Sequence, residues 1–236
     1  MKRRAAEETN PFVKALLKLY AFVYAADRKF GFPRPVTPPT IRRQRLFAIL
    51  LACQTGITFT GSLVRVTGSG LGCDTWPQCH PGSLLPVPGS APWIHQLIEF
   101  GNRTLTFVLI IACLICFIAV VRAARRSAIL HLAFVQGIGI IVQAVIGGIT
   151  VHMDLMWWMV ALHFLPSMLL VFLAAKLVVR IGEPDDGEMQ PLMPRPLRIL
   201  TDGSAISLAV VLMTGTLVTS AGPHAGAVSY THLTLP

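Results

Sequence analysis

Two cysteines six positions apart, Cys73 and Cys79, sit in the Gly- and Pro-rich run Gly68-Ser-Gly-Leu-Gly-Cys-Asp-Thr-Trp-Pro-Gln-Cys79. Close behind comes Trp93-Ile-His-Gln-Leu-Ile-Glu-Phe-Gly-Asn-Arg103, at the mouth of a long apolar segment. On a helix His95, Glu99, Asn102 and Arg103 fall at i, i+4, i+7 and i+8 and share one face. Glu99 is the one acidic residue inside a predicted span. A carboxyl in hydrocarbon is costly, so it either faces a polar cavity and does proton chemistry or pairs with Arg103 so that both are tolerated. The cysteines are expected to form a disulfide on an oxidising side of a membrane. The metal alternative needs further ligands, and a Cys-x5-Cys run followed by His80 is not a standard zinc spacing.

His163 is flanked by Ala161, Leu162, Phe164 and Leu165 in another apolar segment. A histidine so placed is either hydrogen-bonded to a neighbour or an axial ligand to haem iron inside a helix bundle. Cys113 and Cys116 form a Cys-x-x-Cys sequence in mid-membrane, where thiols are ordinary buried apolar groups, and Cys53 reads the same way. His131 is expected to be structural, and His80 and His152 are loop residues with no evident partner.

The elements that must hold these residues are membrane helices. Of 236 residues, 53% are hydrophobic and only 13% charged, where a soluble domain carries about a quarter. Charge is scarce in five apolar runs of the length needed to cross a bilayer, where only Glu99, Arg103 and Lys176 interrupt it: Leu46–Val64, Ile94–Val121, Ile129–Val151, Met156–Val179 and Ser204–Ser220. The fold class is therefore all-α and integral to the membrane. The formal charge of +9 does not point to nucleic acid, because eleven of the 20 Lys and Arg lie in residues 1–45, before the first span. Arg122, Arg125, Arg126, Lys176, Arg180, Arg195 and Arg198 fall on the same side. That pattern places the N-terminus in the cytoplasm and the Cys loop on the outer face. Pro11 to Phe30 is read either as an amphipathic surface helix or as a basic tail without structure.

Thr60-Gly-Ser-Leu-Val-Arg-Val-Thr-Gly68 recurs as Thr214-Gly-Thr-Leu-Val-Thr-Ser-Ala-Gly222, and each copy ends an outward-going span. The repeat implies two parallel four-helix units. The expected organisation is a basic extension (1–45), a first four-helix unit (46–180) with the outer loop at 65–93, a cytoplasmic linker (181–203) and the start of a second unit (204–236). The last has neither a Cys loop nor a sixth span, so a truncated copy is expected.

Taken together, these stretches resemble the haem A synthase family. The resemblance rests on Thr60-Gly-Ser-Leu-Val, on Thr67 through Cys79, on Ile98-Glu-Phe-Gly-Asn-Arg103, on Gln143-Ala-Val-Ile-Gly-Gly148 and on Ala161-Leu-His-Phe164. It implies eight helices in two halves, and an oxidoreductase that converts the haem O methyl group to the formyl group of haem A for terminal oxidases. Haem O is then the substrate of the first half, with haem b in a second half. Membrane lipid, the haem O synthase and an electron donor are the implied partners, and no nucleic acid. Carried over, Glu99 matches the essential acid, His163 the iron ligand, and Cys73 with Cys79 the outer-loop pair. The family pattern Glu-x-x-His-Arg is broken here, because Asn102 stands at the His position and leads into Arg103. At ~1.5 Å rise per residue, Asn102 and His163 lie at similar depth, while His95 is about two turns shallower. Either the iron has one protein ligand, or His95 substitutes through a shifted geometry. A membrane haem protein for electron transfer, without hydroxylase activity, is the alternative in a different class. A transporter is the third, and would require helices broken at mid-membrane.

Overall fold

The computed structural model describes residues 40–123, 125, 127–183 and 193–219, together with Lys14, Lys18, Ala21 and Phe22, which are helical. The rest of the proposed surface helix at 11–30 lies outside the described residues. Among those described, five helices are long and apolar enough to cross a membrane. They are α1 (Thr40–Val66), α2 (Trp93–Arg122), α3 (Ser127–His152), α4 (Trp157–Ile181) and α5 (Arg195–Thr219). The chain is a multi-pass, all-helical membrane protein. Helices are the elements that can cross hydrocarbon with every backbone group satisfied internally.

The first four helices close into a ring. α1 packs on α2 and α4, and α3 packs on α2 and α4. The diagonal pairs α1/α3 and α2/α4 have no Cα atoms within 8 Å of each other among the described residues. The connections explain the up-and-down order. α3 passes to α4 through Met153–Met156, where Asp154 (φ 48°) and Leu155 (φ 56°) take left-handed conformations in succession. That conformation is unfavourable for L-residues other than glycine. It is held because Asp154 N donates to Val151 O (3.1 Å) and Leu155 N to Thr150 O (3.0 Å), closing the end of α3.

One buried apolar cluster fills the end of the ring where α2 finishes and α3 starts, and reaches mid-helix at Leu109 and Ile140. Phe47 and Leu50 of α1, Cys116, Val120 and Val121 of α2, Ile129 and Ala133 of α3, and Leu177 and Ile181 of α4 form one buried cluster. Cys113 and Cys116 lie in it as reduced thiols, with Cys53 packed against it, as the sequence implies. Arg45, Arg122, Lys176 and Arg180 sit at this same end of their helices. α3 supplies close approach and polar ties to α4. A β-carbon on Gly139 would collide with Leu170, and Gln136 Nε2 donates to Leu170 O (2.7 Å). Small residues and side-chain hydrogen bonds are what hold helices together where lipid removes the hydrophobic drive.

α5 touches only α4. It starts at Arg195, nine residues before the expected Ser204, because a basic and polar first turn is invisible to a search for apolar runs. Pro166 stands inside α4 without interrupting it. The opposite end of the ring, away from the apolar cluster, is covered by the 67–92 segment between α1 and α2.

Candidate functional site: a roofed pole of the four-helix ring

The roof begins with a covalent clip. Cys73 and Cys79 are joined as a disulfide, with Cα atoms 4.3 Å apart, and both are fully buried. The metal alternative is thereby corrected, since both sulfurs are in the S–S bond. His80, which the sequence left without a partner, has two. Its Nδ1 lies 2.8 Å from Asp74 Oδ1 and its Nε2 donates to Gln96 Oε1 (2.9 Å). His152 is corrected likewise, with Nε2 3.0 Å from Trp76 O.

Two glycines let the roof sit down on the helices. A β-carbon on Gly72 would enter the backbone carbonyl of His95, so this turn of the loop lies directly on α2. A β-carbon on Gly148 would enter the Trp76 indole, so Trp76 lies flat on α3. Glycine is required at both positions by closeness rather than by dihedral angle.

Glu99 and Arg103 lock the clip from below. Glu99 is only 4% exposed. Its Oε2 accepts from Cys73 N (2.8 Å), and its Oε1 accepts from Arg103 Nε (3.1 Å) and Nη2. Arg103 also donates through Nη1 to Thr75 O (2.7 Å) and Gln78 O (3.1 Å), and through Nη2 to Cys73 O (2.9 Å). The i,i+4 pair foreseen from spacing is thus present, and it clasps the whole disulfide loop. Charge-assisted bonds of this kind are roughly twice as strong as neutral ones.

Gln96 is the residue that sequence reading missed. It is completely buried. Its Nε2 donates to Val87 O (3.0 Å) and Ala91 O (2.7 Å), while its Oε1 accepts from Val87 N (2.9 Å) and from His80. It lies one turn before Glu99 on the same face, which was the available signal. Gln96→Leu leaves those groups unpaired under the loop, and an unsatisfied buried group costs ~1–3 kcal/mol. The loop is expected to become protease-sensitive in that variant while the helical content of the ring is unchanged, which limited proteolysis with circular dichroism checks.

The other candidates diverge. His95 Nδ1 bonds Ser69 Oγ (2.7 Å), which in turn bonds Thr67 Oγ1 (2.7 Å), so this imidazole is tied to the start of the roof. Asn102 Oδ1 accepts from Thr60 Oγ1 (2.7 Å) and so faces α1. His163 stands on α4, the corner diagonal to α2. Its Nδ1 is shielded from solvent and has no hydrogen-bond partner among the described residues. Its main chain is held, because Gln143 Nε2 and Ser167 Oγ both donate to His163 O at 2.8 Å. The structure therefore brings Glu99, Arg103, Cys73 and His95 together at the roof, sets Asn102 beside α1, and leaves His163 across the ring.

An imidazole with an uncommitted nitrogen fits an iron ligand better than a hydrogen-bonded core histidine, which would have a partner. Among the described residues no group of three or more His, Cys, Asp or Glu side chains is placed to hold a bare metal ion.

The sulfur assignment has a direct check. Without reductant, alkylation of the denatured chain is expected to mark Cys53, Cys113 and Cys116 only. After reduction Cys73 and Cys79 should be marked as well, as peptide mass spectrometry reads. Marking of Cys73 and Cys79 before reduction contradicts the clip.

Compared with known proteins, residues 44–232 match the family model described as COX15-CtaA, cytochrome oxidase assembly protein. The chain is 33% identical over 177 residues to a protein of Exiguobacterium sibiricum named heme A synthase, covering 70% of this chain and 58% of that one. Against the protein of that name from Staphylococcus epidermidis it is 30% identical over 174 residues, covering 70% and 54%. Against that from Geobacillus thermodenitrificans it is 26% identical over 142 residues, covering 60% and 43%. The chain spans about half the length of the curated relatives it matches. No solved structure matches it significantly.

Proposed function

The chain belongs to the family of cytochrome oxidase assembly proteins, and on that premise we propose that it is a haem A synthase-like oxidoreductase, whose four-helix unit binds haem O and takes part in converting its methyl group to a formyl group. The observation that carries this reading is the partnerless imidazole of His163, set diagonally across the ring from the Glu99–Arg103 clasp. Haem O supplies its own iron for oxygen activation; the residues of this chain bind it, orient it and handle protons.

In this reading His163 holds the iron, and Asn102 lies at similar depth on α2 without ligating it. His95 is tied to Ser69 through Nδ1 alone, but it lies about two turns shallower than Asn102, and that depth favours a single protein ligand. Glu99 is the acid–base group near the methyl being oxidised, and Arg103 keeps its carboxylate directed at the roof. The disulfide clip and Trp76 exclude bulk water from that pole, where low polarity strengthens every charge interaction. Residues 46–180 act as the first unit under the 65–93 loop, 181–203 as linker, and α5 as the opening helix of a second unit associated with haem b. The N-terminus is cytoplasmic and the Cys loop outside, because the basic helix ends gather at the pole opposite the roof. Trp93, Trp157 and Trp158, all partly exposed at the roofed pole, match an interfacial aromatic belt. The haem O synthase and an electron donor are the proposed partners in the membrane.

One observation favours the second reading, an electron-transfer haem protein. Both Glu99 oxygens are already occupied by the loop and by Arg103, as a purely structural acid would be. Membranes carrying the protein separate the two when supplied with haem O: the oxidoreductase yields haem A, and the electron carrier returns haem O unchanged, as mass spectrometry of the extracted haem shows.

A further inference from the structure

Resting on the reading that His163 holds iron, we infer that Gly147 and Gln143 of α3 are positioning residues that set the orientation of this imidazole. The observation is a close approach of ring to helix. A β-carbon built on Gly147 would stand 3.2 Å from His163 Cε1, 3.6 Å from Nε2 and 3.7 Å from Nδ1. Both ring nitrogens therefore lie over a backbone position that presents no side chain, while the neighbouring Gly148 faces Trp76 instead. One turn deeper on the same face, Gln143 Nε2 donates to His163 O (2.8 Å) and to Ser167 Oγ (2.5 Å). Ser167 Oγ returns a bond to the same His163 O.

The two contacts divide the work. Gln143 fixes the main chain of α4 at His163, so the residue cannot move away as a body. Gly147 then decides which tilt of the ring is open. Pro166, three residues on, has no N–H to donate to Leu162 O, so the local ladder of α4 is already thinned there. The turn that carries the ligand depends on α3 for its geometry. Groups that orient a metal-bound histidine typically change affinity by about 10–100-fold when altered.

The test uses the purified protein in detergent, titrated with haemin and read by absorbance. Gly147→Ala is expected to fold, since alanine suits a helix better than glycine. It should bind haemin about 10-fold or more weakly, with a displaced Soret band, and Gly147→Val should go further. Gly137→Ala is the control on the same helix. Its β-carbon meets Cys113 Sγ at an ordinary 3.8 Å, and its spectrum should match the parent. Gln143→Leu, which leaves the ring flank open but frees the backbone, should weaken binding without the graded dependence on side-chain size seen at 147. Parental affinity and spectrum in both Gly147→Ala and Gly147→Val, alongside loss of haemin in His163→Ala, overturns the inference while leaving the site intact. Unchanged binding in His163→Ala overturns the site, and the inference with it.

Discussion

Glu99→Gln is expected to retain haem O and to lower haem A formation by about 10²–10⁴-fold, the usual weight of a general acid–base group. Glutamine keeps the shape and can still accept from Cys73 N, so the roof stays attached at that bond. What is removed is the charge opposite Arg103 and the ability to give or take a proton. Arg103 keeps three backbone carbonyls, those of Cys73, Thr75 and Gln78, so it is not left without partners. The alcohol stage of the methyl oxidation should accumulate if the acid serves the later step. Limited proteolysis of the loop separates chemistry from collapse. An intact roof with no haem A assigns the defect to Glu99 itself. An intact roof with normal haem A reduces Glu99 to the anchor of a clasp, and the electron-transfer reading then moves ahead.

His163→Ala is expected to abolish or strongly weaken haem binding while sparing the fold. Among the described residues the ring Nδ1 has no hydrogen-bond partner to orphan, and the main-chain His163 O still accepts from Gln143 and Ser167. The structural cost is therefore lost packing alone, on the order of 2–4 kcal/mol for so large a truncation. Thermal unfolding measured without haem should show only that modest shift. Haem retention with an unchanged spectrum means the imidazole is a core residue and the iron sits elsewhere.

The spans were legible because each is a long apolar run with little charge; α2 to α4 begin and end within a few residues of where composition places them, while α1 starts at Thr40, ahead of the expected Leu46. α5 was legible in its apolar part only. Its first turns carry Arg195, Arg198, Thr201 and Asp202, and nothing in a hydropathy pattern distinguishes a polar helical turn from a loop. The Glu99–Arg103 pair follows from spacing on a helix. Its grip on Cys73, Thr75 and Gln78 does not, because that depends on the loop folding back over α2. The same reversal hides Gln96, which looks like an unremarkable amide near a helix start, and gives His80 and His152 partners distant in sequence. The Asn102–Thr60 bond is hidden for a related reason: helix periodicity says which residues share a face and not which neighbouring helix that face meets. Nothing in the sequence says what stands against the glycines at 72, 147 and 148; in the structure each marks a place where a backbone or a ring comes too close for a side chain.

Every proposed role in the ring depends on haem O binding through His163. That binding is tested most directly by purifying the protein from membranes that contain haem O, recording its absorbance spectrum, and identifying the extracted haem by mass, with His163→Ala prepared in parallel. A Soret band and the mass of haem O or its oxidised products are expected from the parent, and neither from the variant. A parent protein that carries no haem under these conditions, or a variant that carries as much as the parent, contradicts binding through His163.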